Sequence, residues 1–567
     1  MSELSDISIE LIIPELLILF GIVSLVILPN LGEARFRIPL TSTRVPVFIG
    51  GTRFEFSRDP RLPFRISIVI LFLSLFFAQL AFWSPENWTG KVGLVLEVDR
   101  FSILMSNIFL SVVFLCTLAA SHRLPANPSA SGPSKRDSEK VEKEKIENLY
   151  NNRRQVDFYI LILMTAIGMT LMTKSTHLFM LFVCLELASL SSYVLVGFNK
   201  ETDIGGEAGT KYFIVGSVSS AVGIYGMSLL YLWSGSLYIT DLTILWDSMS
   251  TLDPLPVISI GMMLVAFGFK IGAAPFHLAI PDAYSGASSL VAGLLATASK
   301  AMGFVALMRI LVLISMPDQG EAFWMIIVAI ISVITMTWGN ISALSSTNPK
   351  RILAYSSVAH AGYMLAAIAA IGAGLGNLDS YSLIVTAILF HLTVLVVFKL
   401  GAFLVLNILE YKNNSHKLEG LHGLASRDPI LAGSMFIFLL SLAGVPPFSG
   451  FLSKLLMING ILNSTIDTGS ISASAIQEWI VSVDMLFWLA LAIVLNSALS
   501  LFYYLRMGMI MFFEKTENDQ PITYSIWIKV SIIILAILTA LFGIGPISEI
   551  LLDSVTNSAN DFLGINS

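Results

Sequence analysis

Fourteen apolar runs partition this chain, most of them near or above the ~20 residues a helix needs to cross the hydrocarbon core of a bilayer. They lie at about 11–29, 64–83, 101–120, 157–173, 175–197, 208–233, 256–280, 287–315, 322–344, 352–373, 381–409, 430–462, 485–512 and 525–546. Inside lipid every backbone N–H and C=O must be satisfied within the segment or by a closed barrel, so runs of this length fold as helices. Only 13% of the residues are charged, against about 25% in a soluble domain. The expected fold is an all-α polytopic membrane protein with the lipid bilayer as its immediate partner and no nucleic acid. The N-terminal MSELSDISIELIIPELL has no basic region and no A-x-A site, so it reads as the lead into the first span rather than a cleaved signal peptide.

Charge between the runs alternates. Loops after odd-numbered spans are basic: Arg35, Arg37, Arg44, Arg53, Arg58 and Arg61 after the first, then Lys135 to Arg154 after the third, Lys350 and Arg351 after the ninth. Loops after even-numbered spans carry Asp241, Asp247 and Asp253, then Asp318 and Glu321, then Asp467 and Glu478. Positive loops stay in the cytoplasm, so both termini are expected on the outer side of the cell (plasma) membrane. Residues 1–120 form three spans with a basic cytoplasmic insert at 31–63, and 121–156 a charged cytoplasmic loop containing at most one exposed helix.

Two spans are interrupted. Gly272 and Pro275 break the seventh just after Lys270, and Gly444, Pro446, Pro447 and Gly450 break the twelfth just before Lys454. Proline removes a backbone donor, and freed backbone groups are tolerated at membrane depth only against protein or a water-filled cavity. Breaks five spans apart point to two inverted five-helix repeats, spans 4–8 over 157–315 and spans 9–13 over 321–513, with 525–567 as a last span and tail.

One glutamate and four lysines lie deep within the apolar runs: Glu186, Lys270, Lys300, Lys399 and Lys454. Each costs roughly 2.5–3.5 kcal/mol at a helix centre on insertion scales, so a chain that only had to sit in a membrane would not carry them. Burial disfavours a charge and a close opposite charge restores it, which makes a Glu186–Lys270 pair that opens and closes a switch on lysine protonation. Lys300 lies too deep to snorkel. Lys399 has His391 two turns before it on roughly the same face, a natural relay near neutral pH; His277 and His360 rank below it. Lys211 lies about one turn inside its span, where snorkelling explains it, and Arg309 and Lys529 read as anchors near helix ends. The chain has two cysteines, Cys116 and Cys184, both in apolar runs. An iron–sulfur cluster takes about four thiolates, so no such cluster fits, and neither a nucleotide-binding glycine motif nor zinc-ligand spacing occurs.

The run GFKIGAAPFHLAIPDAYSGASSLVAGLLATASKAMGF (268–304) resembles the antiporter-like subunits of respiratory complex I. KYFIVGSVSSAVGIYGMSLLY, KRILAYSSVAHAGYML, SLAGVPPFSGFLSK and LFYYLRMG are most similar to subunit N, the mitochondrial subunit 2 type. The resemblance spans nearly the whole chain. It implies a proton pathway through Glu186, Lys211, Lys270, Lys300 and Lys454. Three features depart from the usual pattern: Ser285–Ser289 stands where the family has a Gly-Ala-Pro segment, His391 with Lys399 looks like the sister subunits L and M, and the 31–63 and 121–156 inserts look like the archaeal coenzyme F-420 (deazaflavin) dehydrogenase. The resemblance implies a proton-translocating subunit coupled to electron transfer from NADH or a reduced deazaflavin to quinone or methanophenazine. Iron–sulfur clusters, flavin and the quinone or methanophenazine site would lie in partner subunits, and the membrane partners would be subunits of the M, L, K and J types. An Mrp-type cation/proton antiporter subunit, or a non-conducting scaffold, are the alternative readings of the same lysines.

Overall fold

The computed structural model describes residues 9–27, 35–37, 44–46, 62–123, 138–199, 202–249, 251–317, 320–374, 378–413, 418–463, 485–515, 522 and 524–565. Most of the 31–63 insert lies outside the described residues.

Nineteen helices are described: α1 (Ile13–Ile27), α2 (Leu62–Trp83), α3 (Arg100–Ala119), α4 (Ser138–Thr173), α5 (Leu178–Val196), α6 (Asp203–Ser234), α7 (Ile239–Asp247), α8 (Pro254–Ile271), α9 (Ala279–Gly286), α10 (Ser289–Ile314), α11 (Met325–Ser345), α12 (Pro349–Ile371), α13 (Leu378–Asn413), α14 (Leu424–Arg427), α15 (Pro429–Ala443), α16 (Ser449–Asn463), α17 (Met485–Phe513), α18 (Ile526–Leu541) and α19 (Pro546–Phe562). Two small hairpins, β1 (Arg35–Arg37) with β2 (Arg44–Pro46) and β3 (Gly90–Val92) with β4 (Leu96–Val98), are the only strands among the described residues. Among those residues, twelve helices are long and apolar enough to span a membrane, or thirteen counting α18 and α19, which are bent by 84° at their junction, as one.

The alternation of apolar runs located the helices, but not all of their shapes. The charged 121–156 segment is not a separate loop helix: from Ser138 the backbone is helical and continues without a break into the fourth span. The segment after α6 carries the short lateral helix α7, and the C-terminal tail is the amphipathic helix α19. It packs across the end of α3, where Phe562 lies 4.7 Å from Phe101 ring to ring and Ser382 of α13 bonds Asn560 at 2.5 Å.

Helices α10, α12 and α13 form the buried centre, while α1, α2, α6 and α17 keep broad apolar faces exposed. Exposed Phe72, Ile214 and Leu495 are what a lipid-facing surface requires. Small residues let the helices approach. Gly209 abuts Gly197, and a Cβ at Gly168 would stand 2.7 Å from the Ala188 nitrogen.

Both interrupted helices end in the same way. α8 stops at Gly272 (φ +79°), whose N–H reaches the Gly268 carbonyl at 3.0 Å; α15 stops at Gly444 (φ +82°), whose N–H reaches Leu440 at 3.1 Å. Positive φ is open to glycine and strained for other residues, so each glycine terminates its helix inside an apolar run.

Candidate functional site

Four buried lysines run across the middle of the bundle. Lys270, Lys300, Lys399 and Lys454 are 7, 1, 0 and 4% exposed. Among the described residues none has a carboxylate within ion-pairing distance; each is held by hydroxyls or carbonyls instead.

At one end, Glu186 of α5 accepts from the Ser220 hydroxyl of α6 at 2.6 Å. Lys270 at the end of α8 donates to the Tyr193 hydroxyl at 2.5 Å and lies 4.6 Å above the same ring. The expected direct Glu186–Lys270 ion pair is therefore not made. The Tyr193 hydroxyl, with Ser189 and Ser220 beside it, stands between the two charges. Gly216 makes room for it, since a Cβ there would overlap that hydroxyl. Glu186 and Tyr193 are seven residues apart on α5, two turns along one face; that spacing was a usable signal for Tyr193, and the sequence reading missed it.

The next step crosses from α8 to α10. A Cβ at Gly303 would touch the Lys270 Cβ at 3.0 Å, one turn from Lys300. A wide i→i+5 turn over Leu295–Ser299 immediately precedes Lys300, a geometry that recurs at functional positions. The Lys300 ammonium donates to the Ser357 carbonyl of α12 at 2.5 Å and lies against the Gly272 break. The neighbouring residue, Ser356, accepts from Lys399 of α13 at 2.8 Å. Adjacent residues thus hold Lys300, by a main-chain carbonyl, and Lys399, by a hydroxyl.

One turn beyond Ser356, His360 Nδ1 meets His391 Nε2 at 3.1 Å, with the rings stacked 5.2 Å apart. His391 Nδ1 meets the Ser453 hydroxyl at 2.9 Å. Lys454, the next residue, donates to the Leu442 and Ala443 carbonyls at 3.1 and 3.0 Å and to Ser497 at 2.8 Å. Those carbonyls are left free by the end of α15 at Gly444, where helix-end carbonyls attract a cation. His360, ranked below His391 from sequence, is its direct partner.

Lys211 does not join this row. Its side chain is 47% exposed and pairs with Glu207 at 2.6 Å and Asp282 at 3.0 Å, and Asp282 also takes Arg351 at 2.6 Å. Arg309 is no surface anchor. It is 7% exposed, and its guanidinium donates to the Thr173 and Ser175 carbonyls at the end of α4. Lys529 does keep a rim position, 36% exposed and 3.9 Å from Asp428.

A cavity of about 1300 Å³ opens on the face that carries the α4–α5 turn and the C-terminal residues, lined by Glu97, Asp99, Lys174, Arg309 and Asp561 among others. Lys174 pairs there with Glu15 of the N-terminal helical segment at 2.7 Å, both buried. Burial holds the Asp99 carboxyl above the usual carboxylate range against the pull of Arg309. Glu15 near the first described residue and Asp561 near the last therefore share one face of the bundle. Cys116 and Cys184 are free and buried.

A family model described as NADH:quinone oxidoreductase/Mrp antiporter, TM, matches residues 175–480, which include every lysine of the row. NADH-quinone oxidoreductase subunit N of Heliobacterium modesticaldum is 34% identical over 455 residues, covering 80% of this chain and 84% of that one. F(420)H(2) dehydrogenase subunit N of Methanosarcina mazei is 31% identical over 439 residues, covering 75% and 76%. In fold the chain is similar to one from respiratory complex I of Thermus thermophilus (TM-score 0.69, 24% identity, 96% of this chain and 100% of that one). It is also similar to one from the Mrp complex of Dietzia sp. (TM-score 0.73, 19% identity, 98% of each). This multi-pass membrane chain belongs to the NADH:quinone oxidoreductase/Mrp antiporter transmembrane family, and it resembles that family's N-type subunits of respiratory dehydrogenase complexes.

Proposed function

We propose that this chain is a proton-translocating subunit of a complex I-type dehydrogenase in the cell membrane. Electrons would pass from NADH or a reduced deazaflavin to quinone or methanophenazine through the flavin and iron–sulfur clusters of partner subunits. The neighbours would be antiporter-like subunits of the M and L types and small subunits of the K and J types. The observation that carries this reading is the row itself: four buried ammonium groups, none in direct contact with a carboxylate among the described residues, with serine hydroxyls and a stacked histidine pair set along it. An uncompensated buried charge costs several kcal/mol, a cost that a scaffold has no reason to bear and a proton path does.

In this reading the proton passes from the Glu186 end through Ser220 and Tyr193 to Lys270. It continues from Lys300 by water to Lys399, held by the Ser356 hydroxyl, and by the His360–His391 pair to Lys454, or in the reverse order. Moving one charge against 100 mV costs about 2.3 kcal/mol, an amount that shifting a carboxylate toward or away from a buried lysine can supply. Lys211 takes a place at the cytoplasmic rim, beside Asp282 and Arg351. The matched breaks at Gly272 and Gly444 support fourteen spans with inverted repeats over 157–315 and 321–513, flanked by 1–120, the 121–156 loop and 525–567. The basic loops support both termini outside. Lys270→Met tests the function: in inverted vesicles with the complex assembled, proton pumping is expected to fall at least tenfold together with coupled electron transfer. Pumping at the parental rate would reduce the chain to a scaffold.

A further inference from the structure

The four lysines of the row are all buried, and a second charged cluster stands above its midpoint. Glu410, near the end of α13, holds three groups on two other helices. Lys350 of α12 donates to its Oε1 at 2.8 Å, and the backbone N–H and hydroxyl of Ser289, at the start of α10, donate to its Oε2 at 2.9 and 2.6 Å. Lys350 also donates to the Ala287 carbonyl at 2.9 Å. The pair is asymmetric. The Glu410 side chain is 24% exposed and meets solvent, and Lys350 is sealed behind it at 5%.

Helix geometry places this pair over the lysines. Glu410 follows Lys399 by eleven residues of uninterrupted helix, three turns and about 16 Å along the same face. Ser357, which holds Lys300, follows Lys350 by seven residues, two turns and about 10 Å along the same face of α12. Between the two levels stand Phe403, four residues past Lys399, and Ala354, four past Lys350, both fully buried. The Phe403 ring lies 6.4 Å from that of Tyr284, and its Cβ packs so close to α10 that a Cβ at Gly293 would touch it at 3.0 Å. The Ser357 side chain beneath is fully buried, beside the Tyr284 hydroxyl.

We propose that the Lys350–Glu410 pair is the cytoplasmic gate of a proton inlet between α12 and α13 that leads to Lys300 and Lys399, shut in this structure by Phe403. This rests on the relay and orientation proposed above. A proton from cytoplasmic water neutralises the Glu410 carboxylate and releases Lys350, and the cleft wets past Phe403. Handing that proton to an unprotonated lysine of the row restores the carboxylate and recloses the pair. Glu410 is outermost and Lys350 inner, which is the order such a gate requires.

The test measures access rather than pumping. Ala354→Cys is placed in a chain whose Cys116 and Cys184 are replaced by serine, within the assembled complex in membrane vesicles. A charged, impermeant methanethiosulfonate is then applied to one membrane face at a time. Labelling is expected to be slow with the native pair and at least tenfold faster from the cytoplasmic face with Glu410→Gln. Lys350→Met serves as a second variant with the same expectation. A cysteine at Ala367, farther along α12, controls for general loosening. Unchanged labelling in both variants, acceleration only from the outer face, or equal acceleration at the control site would each overturn the gate. If Lys300→Met abolishes pumping while labelling stays unchanged, the relay stands and the gate falls. If labelling accelerates while Lys300→Met pumps normally, the gated cleft stands and the relay falls.

Discussion

Tyr193→Phe separates a proton carrier from a packing residue, because it removes a single oxygen. The ring stays, and with it the contact between the Lys270 ammonium and the ring face at 4.6 Å. What is lost is the acceptor for Lys270 at 2.5 Å and the hydroxyl that stands between that lysine and Ser220, which holds Glu186. A hydrogen bond to a charged group contributes about 1.5–3 kcal/mol. If the hydroxyl carries the proton or stabilises it on Lys270, the barrier rises by that amount, and at 1.36 kcal/mol per decade transfer slows roughly ten- to hundred-fold. The assay is the initial rate of proton uptake in inverted vesicles, with electron transfer recorded alongside and assembly checked on a native gel. Coupled electron transfer should fall in step with pumping, because a blocked relay holds back the redox steps that drive it. An assembled Tyr193→Phe complex that pumps within twofold of the parent would refute the bridging role, and would require Glu186 and Lys270 to meet directly during turnover.

Two further outcomes test the scaffold. Gly450→Ala would drive a Cβ into the Ser441 main-chain carbonyl, which cannot swing aside as a flexible side chain could. Overpacking of this kind costs about 1–3 kcal/mol or more, so the assembled complex should melt several degrees lower or fail to accumulate; parental yield and midpoint would contradict the close α15–α16 approach. Asp99 is held above the ordinary aspartate range by burial, against Arg309. Between those two values the folded chain keeps a proton that the unfolded chain has lost, so stability falls as pH rises through that window. Asp99→Asn, which keeps an oxygen for the Ser102 N–H, escapes that fall. Its melting midpoint should gain on the parent's as pH rises from acid to neutral, and a difference between the two midpoints that does not change over that range would sink the assignment.

The apolar runs and their punctuation determined much of this protein. Span length and the absence of alternatives to helix in lipid set the fold class, and the glycines and prolines interrupting the seventh and twelfth runs located the breaks. The cost of a buried ammonium marked Lys270, Lys300, Lys399 and Lys454 before any neighbour was known. Periodicity also carried His391 with Lys399, because both lie on one helix. Whatever depended on which helices touch was decided only by the tertiary structure. His360 and His391 are 31 residues apart and meet because α12 packs on α13. Tyr193 separates Glu186 from Lys270 because α5, α6 and α8 leave room for its ring opposite Gly216. Lys211 turns outward to Asp282, a partner 71 residues away, and Arg309 turns inward because the end of α4 offers it two bare carbonyls. A single helix fixes the depth and face of a charge. Its partner is fixed by packing, and packing joins residues that the chain keeps far apart.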